Sequence, residues 1–437
     1  EIKTFKSLFQ IDIDYQNLGE TLVFGPKCGG RTFIKGVEEL HPGNNLLIGK
    51  NKKLINYEYY SLEDTLLSIG NEPDIAEIER ILIDSVKKRM IADVPLGTLN
   101  SGGIDSSLLS SLVSNFTDKN IETFNAAPEP IGGVKSPGDE TEYAKIISEY
   151  LHSSHHTTYY SEQKLFEDII DSIYYNDEVL FHSNSIPLGM MFNHISKNTN
   201  LKVILSGEGA DEVFRGYSVN KFANILNFLP NSNLFSKITY KLMSRRYPDL
   251  ASYDPEFKNY DSFTNLAVAK NSHLPLKLVN KLLSIRVEMS DERRDLLNKM
   301  KDLPPYNRLI FYEQKCYLSG LLKRADRSSM RSGIENRVPF LDHRLVKIMN
   351  EVSPKFKSGI SEISVKRLLK RISKKYLPDR IINRKKYGFT TSINQMDTKM
   401  TKALPKLYSN LSDDFNLKGT NLFLIYNLSV IGDIFSN

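Results

Sequence analysis

The chain has 437 residues, of which 40% are hydrophobic and 25% charged, and its formal net charge is +6. These values are typical of a globular protein that buries a large core and is long enough for two or more domains. No apolar run reaches the ~18 residues of a membrane helix and the N-terminus has no signal-peptide pattern, so we expect no membrane partner. Two cysteines, Cys28 and Cys316, are too few for a disulfide framework or a cysteine zinc site, and they favour a reducing, cytoplasmic location.

The N-terminal part of the chain has the features of a β-rich segment. Residues 1 to about 60 contain short strand-like runs separated by turns, and residues 45–60 are typical of a hairpin that turns near Gly49. A long amphipathic helix is predicted from Pro73, because apolar residues recur at helical spacing after it. We therefore expect a short β tail over residues 1–60 and a larger domain over residues 61–437.

Strand-like and helical patterns alternate in the next part of the chain. This alternation predicts an α/β fold whose parallel, twisted sheet carries helices on both faces. Beyond Gly216 the pattern is almost wholly helical, with no convincing strand, and residues 229–270 are typical of a loop-rich insertion. The predicted strands span residues 91–99, 122–127, 155–160 and 202–206, and the predicted helices follow the first strand and span residues 140–151, 162–174 and 187–197.

A glycine-rich loop follows the first predicted strand, with the sequence Ser101-Gly102-Gly103-Ile104-Asp105-Ser106-Ser107. A strand that turns through two glycines into a helix exposes backbone N–H groups at the positive end of the helix dipole, where phosphate binds readily. The serine hydroxyls add donors, and Asp105 can hold a cation against the phosphates. No Gly-Lys-Ser/Thr follows, so this is not a Walker motif. The loop predicts a pyrophosphate cradle, and the alternative is an ordinary glycine turn capped by serine and aspartate.

A second glycine loop, Ser206-Gly207-Glu208-Gly209-Ala210-Asp211-Glu212, follows the strand predicted at 202–206. Three carboxylates would crowd one another in a mere turn, but they suit a metal-nucleotide and an amine reactant. Asp211 and Asp105 could hold Mg²⁺ between phosphates, and Glu208 could take a proton from an attacking amine. The alternative is an acidic surface turn at the end of a strand.

Two basic motifs lie further along the chain. Residues 322–330 predict a basic helix, followed by an extended segment before Pro339, and a buried Arg–Asp network explains its arginines at least as well as catalysis does. Lys366 could neutralise charge that develops on an acyl-phosphate oxygen, although a single lysine is more often a surface residue.

These motifs together resemble those of a known family. The loop at Ser101–Ser107 resembles that of the PP-loop ATP pyrophosphatases, and the runs at 206–217 and 335–342, in that order, make the chain similar to the asparagine synthetase family. The resemblance covers nearly the whole chain, and residues 25–43 resemble the tail of a class II glutaminase-like domain. It implies a PP-loop/HUP-like synthetase domain in which ATP adenylates a carboxylate, pyrophosphate leaves, and ammonia or an amine attacks the acyl-adenylate.

The resemblance also implies roles for individual residues, with ATP and Mg²⁺ as cofactors. Asp105 and Asp211 match the magnesium-binding aspartates. Glu208, Glu335 and Lys366 match residues with catalytic roles, Glu208 toward the incoming ammonia and Lys366 toward the adenylation transition state. The residues implied in nucleotide binding are Ser101, Gly102, Gly103, Asp105, Ser106, Ser206 and Gly207, together with the strand backbone at Phe124, Asn125 and Ala126.

The chain departs from the family pattern at three places. The N-terminal nucleophilic cysteine and its glutaminase domain are absent, and Cys28 lies too far into the tail to replace it. That domain was cut away, or is a separate subunit, or the enzyme uses free ammonia or another amine. Arg215 stands where glycine is usual, either to bind an extra carboxylate or phosphate or to pack outward, and His182 replaces an acidic residue. These changes put aspartate in doubt as the substrate.

Several functions therefore remain open at this stage. Asparagine formation is the leading one, with ammonia or an amine donor and a small-molecule carboxylate as reactants. Amidation or cyclisation of another carboxylate, such as a sugar uronate or a peptide side chain, is the second. A tRNA-modifying PP-loop enzyme would suit the basic charge but explains neither later motif, so a nucleic-acid partner is not expected, and a non-catalytic paralogue is disfavoured by the intact motifs. A glutaminase partner and a homodimer are left open.

Overall fold

A computed structural model describes residues 1–67, 70, 72–117, 120–130, 139–217, 264, 267–268, 273–357, 366–384, 396–404, 411, 415 and 417–436. The insertion expected over residues 229–270 lies almost entirely outside the described residues, as do residues 385–389.

The N-terminal segment contains an α-helix and a hairpin. The hairpin pairs strand β1 (Asn44–Ile48) with β2 (Leu54–Glu58), which confirms the hairpin predicted there. Helix α1 (Tyr15–Phe24) replaces the strand-like run expected in that part of the segment. It forms because the Asp14 side chain caps its N-terminus by accepting a hydrogen bond from the Asn17 N–H, and every residue from Asn17 to Phe24 is buried.

Helices and strands alternate after the hairpin, as the sequence predicts. The elements are α2 (Ile75–Met90), β3 (Leu96–Leu99), α3 (Ile104–Ser114), β4 (Glu122–Pro128), α4 (Thr141–Leu151), β5 (Ser154–Tyr160), α5 (Glu162–Asn176), α6 (Ser185–Asn198), β6 (Val203–Leu205) and α7 (Ala210–Phe214).

The C-terminal half is mainly helical. Its elements are α8 (Leu276–Leu283), α9 (Asp291–Lys299), α10 (Pro305–Tyr312), a π-helical turn (Glu313–Tyr317), α11 (Leu318–Met330), β7 (Glu335–Arg337), α12 (His343–Glu351), α13 (Pro354–Lys357), α14 (Arg367–Ser373), α15 (Asp379–Ile382), α16 (Asp397–Ala403) and α17 (Thr420–Ser436). Short 3₁₀ helices span Ile2–Ser7, Glu63–Leu66, Met300–Asp302 and Pro339–Leu341.

Five strands form one sheet in the order β5-β4-β3-β6-β7, and every neighbouring pair is parallel. The parallel α/β sheet predicted from the sequence is confirmed. Strand β7 was not expected, because its three residues show no alternation of apolar and polar side chains. It is a strand because it pairs with β6, so the prediction of no strand beyond Gly216 is wrong at this position.

Apolar side chains pack on both faces of the sheet. Val203 and Leu205 of β6 belong to a core with α2, α3, α12 and α14, whereas Ile204 belongs to a cluster with α6. Successive residues of a strand point to opposite faces, so helices cover both sides of the sheet. No helix in the described part of the chain is both long and apolar enough to cross a membrane.

A third core joins the two ends of the chain. Leu18 and Leu22 of α1 are buried with residues of α8, α9, α10 and α17. The domain boundary predicted at residue 60 stays a prediction, although α1 packs directly against these C-terminal helices.

Candidate functional site

The loop between β3 and α3 is tied down by its own side chains. The Asn100 Oδ1 atom accepts a hydrogen bond from the Gly102 N–H at 3.0 Å, and Asn100 Nδ2 donates to the Ala144 carbonyl at 3.1 Å. Ser106 Oγ lies 3.2 Å from both the Ser101 N and the Ser101 Oγ. The loop is therefore held in one shape at the N-terminus of α3, as the cradle prediction requires.

Glycine is required at position 102 for two reasons. Gly102 has φ of +70°, a left-handed conformation that side chains disfavour. A Cβ atom at this position would also overlap the backbone of Tyr143 and Ala144 at the start of α4. The loop thus passes directly against α4, and a larger residue would push the two apart.

The second glycine loop lies directly beside the first. Strands β3 and β6 are parallel neighbours, so their carboxyl ends meet at the same edge of the sheet. A Cβ on Gly207 would lie 3.1 Å from the Asp105 Cβ and 3.2 Å from the Ser106 N. Gly209 has φ of +86° and packs against Leu341. The structure therefore brings together the two loops that the sequence singled out.

Lys366 connects the two loops. Its Nζ lies 2.5 Å from Asp105 Oδ2 and 2.5 Å from Asp211 Oδ1, and its side chain is only 2% exposed. Burial alone would lower the pKa of Lys366, but the two carboxylates raise it above its usual value, so the ammonium stays charged. Lys366 itself is left-handed, with φ of +54°, immediately before α14.

The same two aspartates fit a magnesium site. Their carboxylates already converge on one cation, the Lys366 ammonium, and Mg²⁺ prefers oxygen ligands. Within the described ranges, no group of three or more histidine, cysteine, aspartate or glutamate side chains is arranged to hold a metal. A Mg²⁺ held by Asp105 and Asp211 would therefore complete its coordination with phosphate and water oxygens, as is usual for this ion.

Three buried polar atoms near these loops have no hydrogen-bond partner among the residues that the structure describes. They are the Ser107 Oγ, the Asn125 Oδ1 and the Ser206 Oγ, and all three residues are buried. Buried polar atoms are usually paired, so such atoms are compatible with a ligand or water at this edge of the sheet. Ser107, which lies in the first turn of α3, was not among the predicted site residues.

Strand β4 extends past the end of its neighbour. Its last residue paired with β3 is Phe124, whose carbonyl accepts a hydrogen bond from the Asn100 N–H at 2.7 Å. Asn125 and Ala126 continue beyond the part of β4 that pairs with β3, so no β3 residue pairs with them. The Phe124 side chain is buried, and its ring stacks on that of His156 with the ring centroids 5.0 Å apart.

Glu208 is held by an arginine from α11. Arg324 Nη2 donates to Glu208 Oε2 at 2.9 Å, and Arg324 Nη1 donates to Asn184 Oδ1 at 2.7 Å. This pair fixes the Glu208 carboxylate at the front of the second loop. The buried arginine network anticipated for Arg324 is thus present, but its acidic partner is Glu208.

Glu212 and Tyr217 form a contact that the sequence reasoning missed. The Tyr217 hydroxyl donates to Glu212 Oε1, and the Glu212 side chain is almost fully buried. Burial and the neighbouring Asp211 raise the pKa of Glu212 to about 7. Both residues lie within the run 206–217, and membership of that motif was the sequence signal that could have identified them.

Glu335 lies away from this cluster. It is paired with Val203 at the amino end of β6, whereas the glycine loop follows the carboxyl end of that strand. Its side chain is 59% exposed and bonds to Arg337 Nε at 2.8 Å. The structure therefore does not bring Glu335 to Asp105, Asp211 or Lys366, and its geometry does not support the catalytic role implied by the motif.

Arg215 and His182, the two residues that depart from the family pattern, both point into the protein. Arg215 is fully buried and its Nη1 lies 2.8 Å from Glu313 Oε2 in the π-helical turn, so the outward packing considered from the sequence is wrong. His182 makes edge-on contacts with Tyr317 and His273. Burial and the nearby Arg324 lower the pKa of His182 to about 3, so its imidazole is neutral.

Comparison with known proteins identifies the family. The family model described as asparagine synthase matches residues 77–424, which is most of the chain and includes both glycine loops and Lys366. The chain belongs to the asparagine synthase family.

Individual relatives of this family member are distant. It is 25% identical over 399 residues to "Asparagine synthetase (glutamine-hydrolyzing) 1" of Bacillus subtilis (strain 168), covering 88% of this chain and 60% of that protein. It is 24% identical over 399 residues to "Amidase chyE" of Penicillium rubens, covering 82% of this chain and 59% of that protein. The chain thus spans about 60% of the length of these curated relatives. Among solved structures, an NH3-dependent NAD synthetase from Campylobacter jejuni matches at 16% identity with a TM-score of 0.25, covering 50% of this chain and 100% of that one. This TM-score is too low for the match to indicate fold or function.

Proposed function

We propose that this chain is the synthetase part of an ATP-dependent, amide-forming ligase. It would adenylate a carboxylate with release of pyrophosphate, after which ammonia or an amine attacks the acyl-adenylate. The observation that carries the proposal is the Lys366 ammonium, which lies 2.5 Å from both Asp105 and Asp211 and so joins the two glycine loops at one edge of the sheet.

The nucleotide would lie across the carboxyl ends of β3, β4 and β6. The N–H groups at the start of α3, with Ser101 and Ser106, would bind phosphate oxygens, and the backbone at Asn125 and Ala126 would face the adenine. Mg²⁺ held by Asp105 and Asp211 would neutralise phosphate charge. The three unpartnered buried polar atoms described above support a polar ligand at this position.

Lys366 and Glu208 would act on different steps. The Lys366 ammonium remains charged and buried, so it can stabilise the negative charge that develops while the carboxylate attacks the nucleotide. Glu208 would accept a proton from the attacking amine, and Arg324 positions its carboxylate through Oε2. Ser206 and Gly207 would complete the wall between the two loops.

We propose aspartate as the first carboxylate to test, because the chain is similar to proteins named asparagine synthetase. A different carboxylate is the second candidate, since a relative of similar identity is named an amidase and His182 departs from the usual acidic residue.

The nitrogen would come from ammonia, from another amine, or from glutamine through a glutaminase domain or subunit. The hairpin (Asn44–Glu58) supports such a partner, because it exposes a group of large apolar side chains, namely Leu46, Leu47, Ile48, Leu54 and Ile55.

The deciding experiment measures pyrophosphate release from ATP and Mg²⁺ with aspartate, with and without ammonium and with glutamine in place of ammonium, and identifies the product by mass spectrometry. Asparagine formed with ammonium would support both chemistry and substrate. Pyrophosphate release only with other carboxylates would keep the chemistry and reject aspartate. If pyrophosphate release with every carboxylate tested is no faster than in Asp105→Asn, the proposed function is rejected.

A further inference from the structure

The only two cysteines of the chain lie side by side in the fold. Cys28 follows α1 and Cys316 lies in the π-helical turn between α10 and α11, yet their Sγ atoms are 2.8 Å apart across a sequence separation of 288 residues. Both are free thiols. Neither belongs to the candidate nucleotide site, and the function proposed above gives them no role.

A buried arginine holds the two cysteine-bearing segments together. Arg293 donates to the carbonyls of Phe24, Gly25 and Pro26, which lead directly to Cys28. The same guanidinium donates to the Tyr312 hydroxyl at 2.6 Å, four residues before Cys316, and pairs with Glu20 at 2.7 Å. Because one fully buried group binds both segments, the approach of the two thiols is part of the packed structure.

The two thiols differ in their surroundings. Burial raises the pKa of both thiols, but a hydrogen bond from Cys316 and the charge of Arg293 bring the pKa of Cys28 below its usual value, whereas that of Cys316 is raised. Cys28 is half-buried and Cys316 is buried. Cys316 lines a small cavity together with Pro26, Lys27 and Lys323, and Cys28 is the more exposed residue of the pair.

We propose that Cys28 and Cys316 are an oxidation site that forms a reversible disulfide with hydrogen peroxide. The Cys28 thiolate attacks one peroxide oxygen and breaks the O–O bond, which gives Cys28 sulfenic acid and hydroxide. Cys316 then attacks the Cys28 sulfur, and the displaced hydroxide takes the Cys316 proton. In total, two thiols and one peroxide give one disulfide and two waters. The sulfurs need to approach by only about 0.8 Å to reach bonding distance.

The bond would tie the N-terminal segment to the turn that supports the second glycine loop. Within that turn, Glu313 pairs with Arg215 and Tyr317 packs edge-on against Tyr217. Both partners follow the acidic residues Asp211 and Glu212 in the chain. A shift of Cys316 would therefore reach the candidate site, and we expect the disulfide to lower pyrophosphate release. Only this last expectation rests on the proposed function.

The test treats the full chain with hydrogen peroxide, unfolds it, and alkylates the remaining thiols before intact-mass and peptide-mass analysis. The oxidised wild type should take up no label, lose the mass of two hydrogen atoms, and yield a linked peptide pair that dithiothreitol separates. In Cys316→Ser, Cys28 should stop as a sulfenic acid that dimedone traps, whereas Cys28→Ser should leave Cys316 unreactive.

Two labels on peroxide-treated wild type, or links only between separate chains, would overturn the proposal. Because the wild type alone decides this result, poor folding of a serine variant does not obscure it. Pyrophosphate release should fall on oxidation of the wild type and return with dithiothreitol, but stay unchanged in Cys316→Ser. If the enzyme is active and the disulfide forms without changing the rate of pyrophosphate release, the coupling between the disulfide and the candidate site is rejected. If the enzyme is inactive before oxidation, that result contradicts the proposed function and leaves the disulfide proposal unaffected.

Discussion

Gly216 lies so close to Asp211 that a Cβ atom on it would overlap the Asp211 carboxylate and the Lys366 side chain. The Gly216 N–H also donates to the Asp211 carbonyl at 3.0 Å. The absence of a side chain at Gly216 is therefore what lets Lys366 reach both aspartates. The contact of Lys366 with both aspartates therefore depends on glycine at position 216.

Replacement of Lys366 by methionine tests its proposed role in adenylation. Methionine keeps much of the length but removes the charge, so the transition state should lose ~2–4 kcal/mol of stabilisation, by analogy with a lost oxyanion donor. The kcat for pyrophosphate release should fall roughly 30- to 900-fold. Lys374→Met is the matched control, because that lysine is exposed just after α14. Equal rates for the two variants would remove Lys366 from the mechanism.

Glu208→Gln separates the two chemical steps. Glutamine can still accept a hydrogen bond from Arg324, but it cannot take a proton from the amine. We expect ATP–pyrophosphate exchange without amine to persist, whereas amide formation with ammonium slows by about 10²–10⁴-fold. Both rates are measured on the same preparation. A parallel loss in exchange and amide formation would argue against the base role.

Glu335→Gln tests whether Glu335 is remote from the reaction, as its observed position indicates, or acts in catalysis, as its motif implies. Its exposed side chain bonds to Arg337 at the amino end of the sheet, and glutamine can replace that contact. The rates of exchange and amide formation should therefore stay within about two-fold of the wild type, as for other surface substitutions. A loss comparable to that of Glu208→Gln would show that Glu335 reaches the reacting groups.

The sequence predicts the sheet and the two glycine loops well, because both depend on local patterns. Apolar periodicity marks α2 to β6, and parallel strands necessarily place their following loops at one edge. Strand β7 and the exposed position of Glu335 could not be predicted this way, since pairing with β6 determines them. A motif gives the order of residues along the chain but not the end of the sheet at which each one lies.

Contacts between residues far apart in the chain are the other feature that could not be predicted from the sequence. Helix α1 has its Asp14 cap as a local signal, but much of the core that buries it lies more than two hundred residues away, in α8, α9, α10 and α17. The clamp of Arg293 on the Phe24 carbonyl and the Cys28–Cys316 pair depend on that same packing. No short sequence pattern encodes contacts of this kind.

Gly102→Ala tests the close approach of the first loop to α4. The added methyl group would meet the backbone of Tyr143 and Ala144, and it would have to adopt a left-handed conformation. Gly333→Ala is a matched control, because Gly333 is also left-handed, at φ of +66°, but has open space around its Cβ position. Thermal unfolding should show a markedly larger fall in Tm for Gly102→Ala. Equal falls would mean that the conformation, and not the contact with α4, determines the need for glycine.

His155 should make the protein less stable in mild acid. Burial, together with the neighbouring His156, lowers the pKa of His155 to about 4 from its usual 6.5, although its contact with Thr123 opposes this. Between these two values the unfolded chain binds a proton that the folded chain does not, so stability present above about pH 6.5 is lost as the pH falls toward 4.

The measurement is Tm as a function of pH for the wild type, His155→Gln and a control, His343→Gln, whose side chain is 76% exposed. Glutamine can keep a hydrogen bond to Thr123 but does not titrate, so the difference in Tm between His155→Gln and the wild type should shift in favour of the variant as the pH falls through this window. The control curve should follow the wild type. Parallel curves for all three proteins would mean that His155 takes up its proton equally in the folded and unfolded chain.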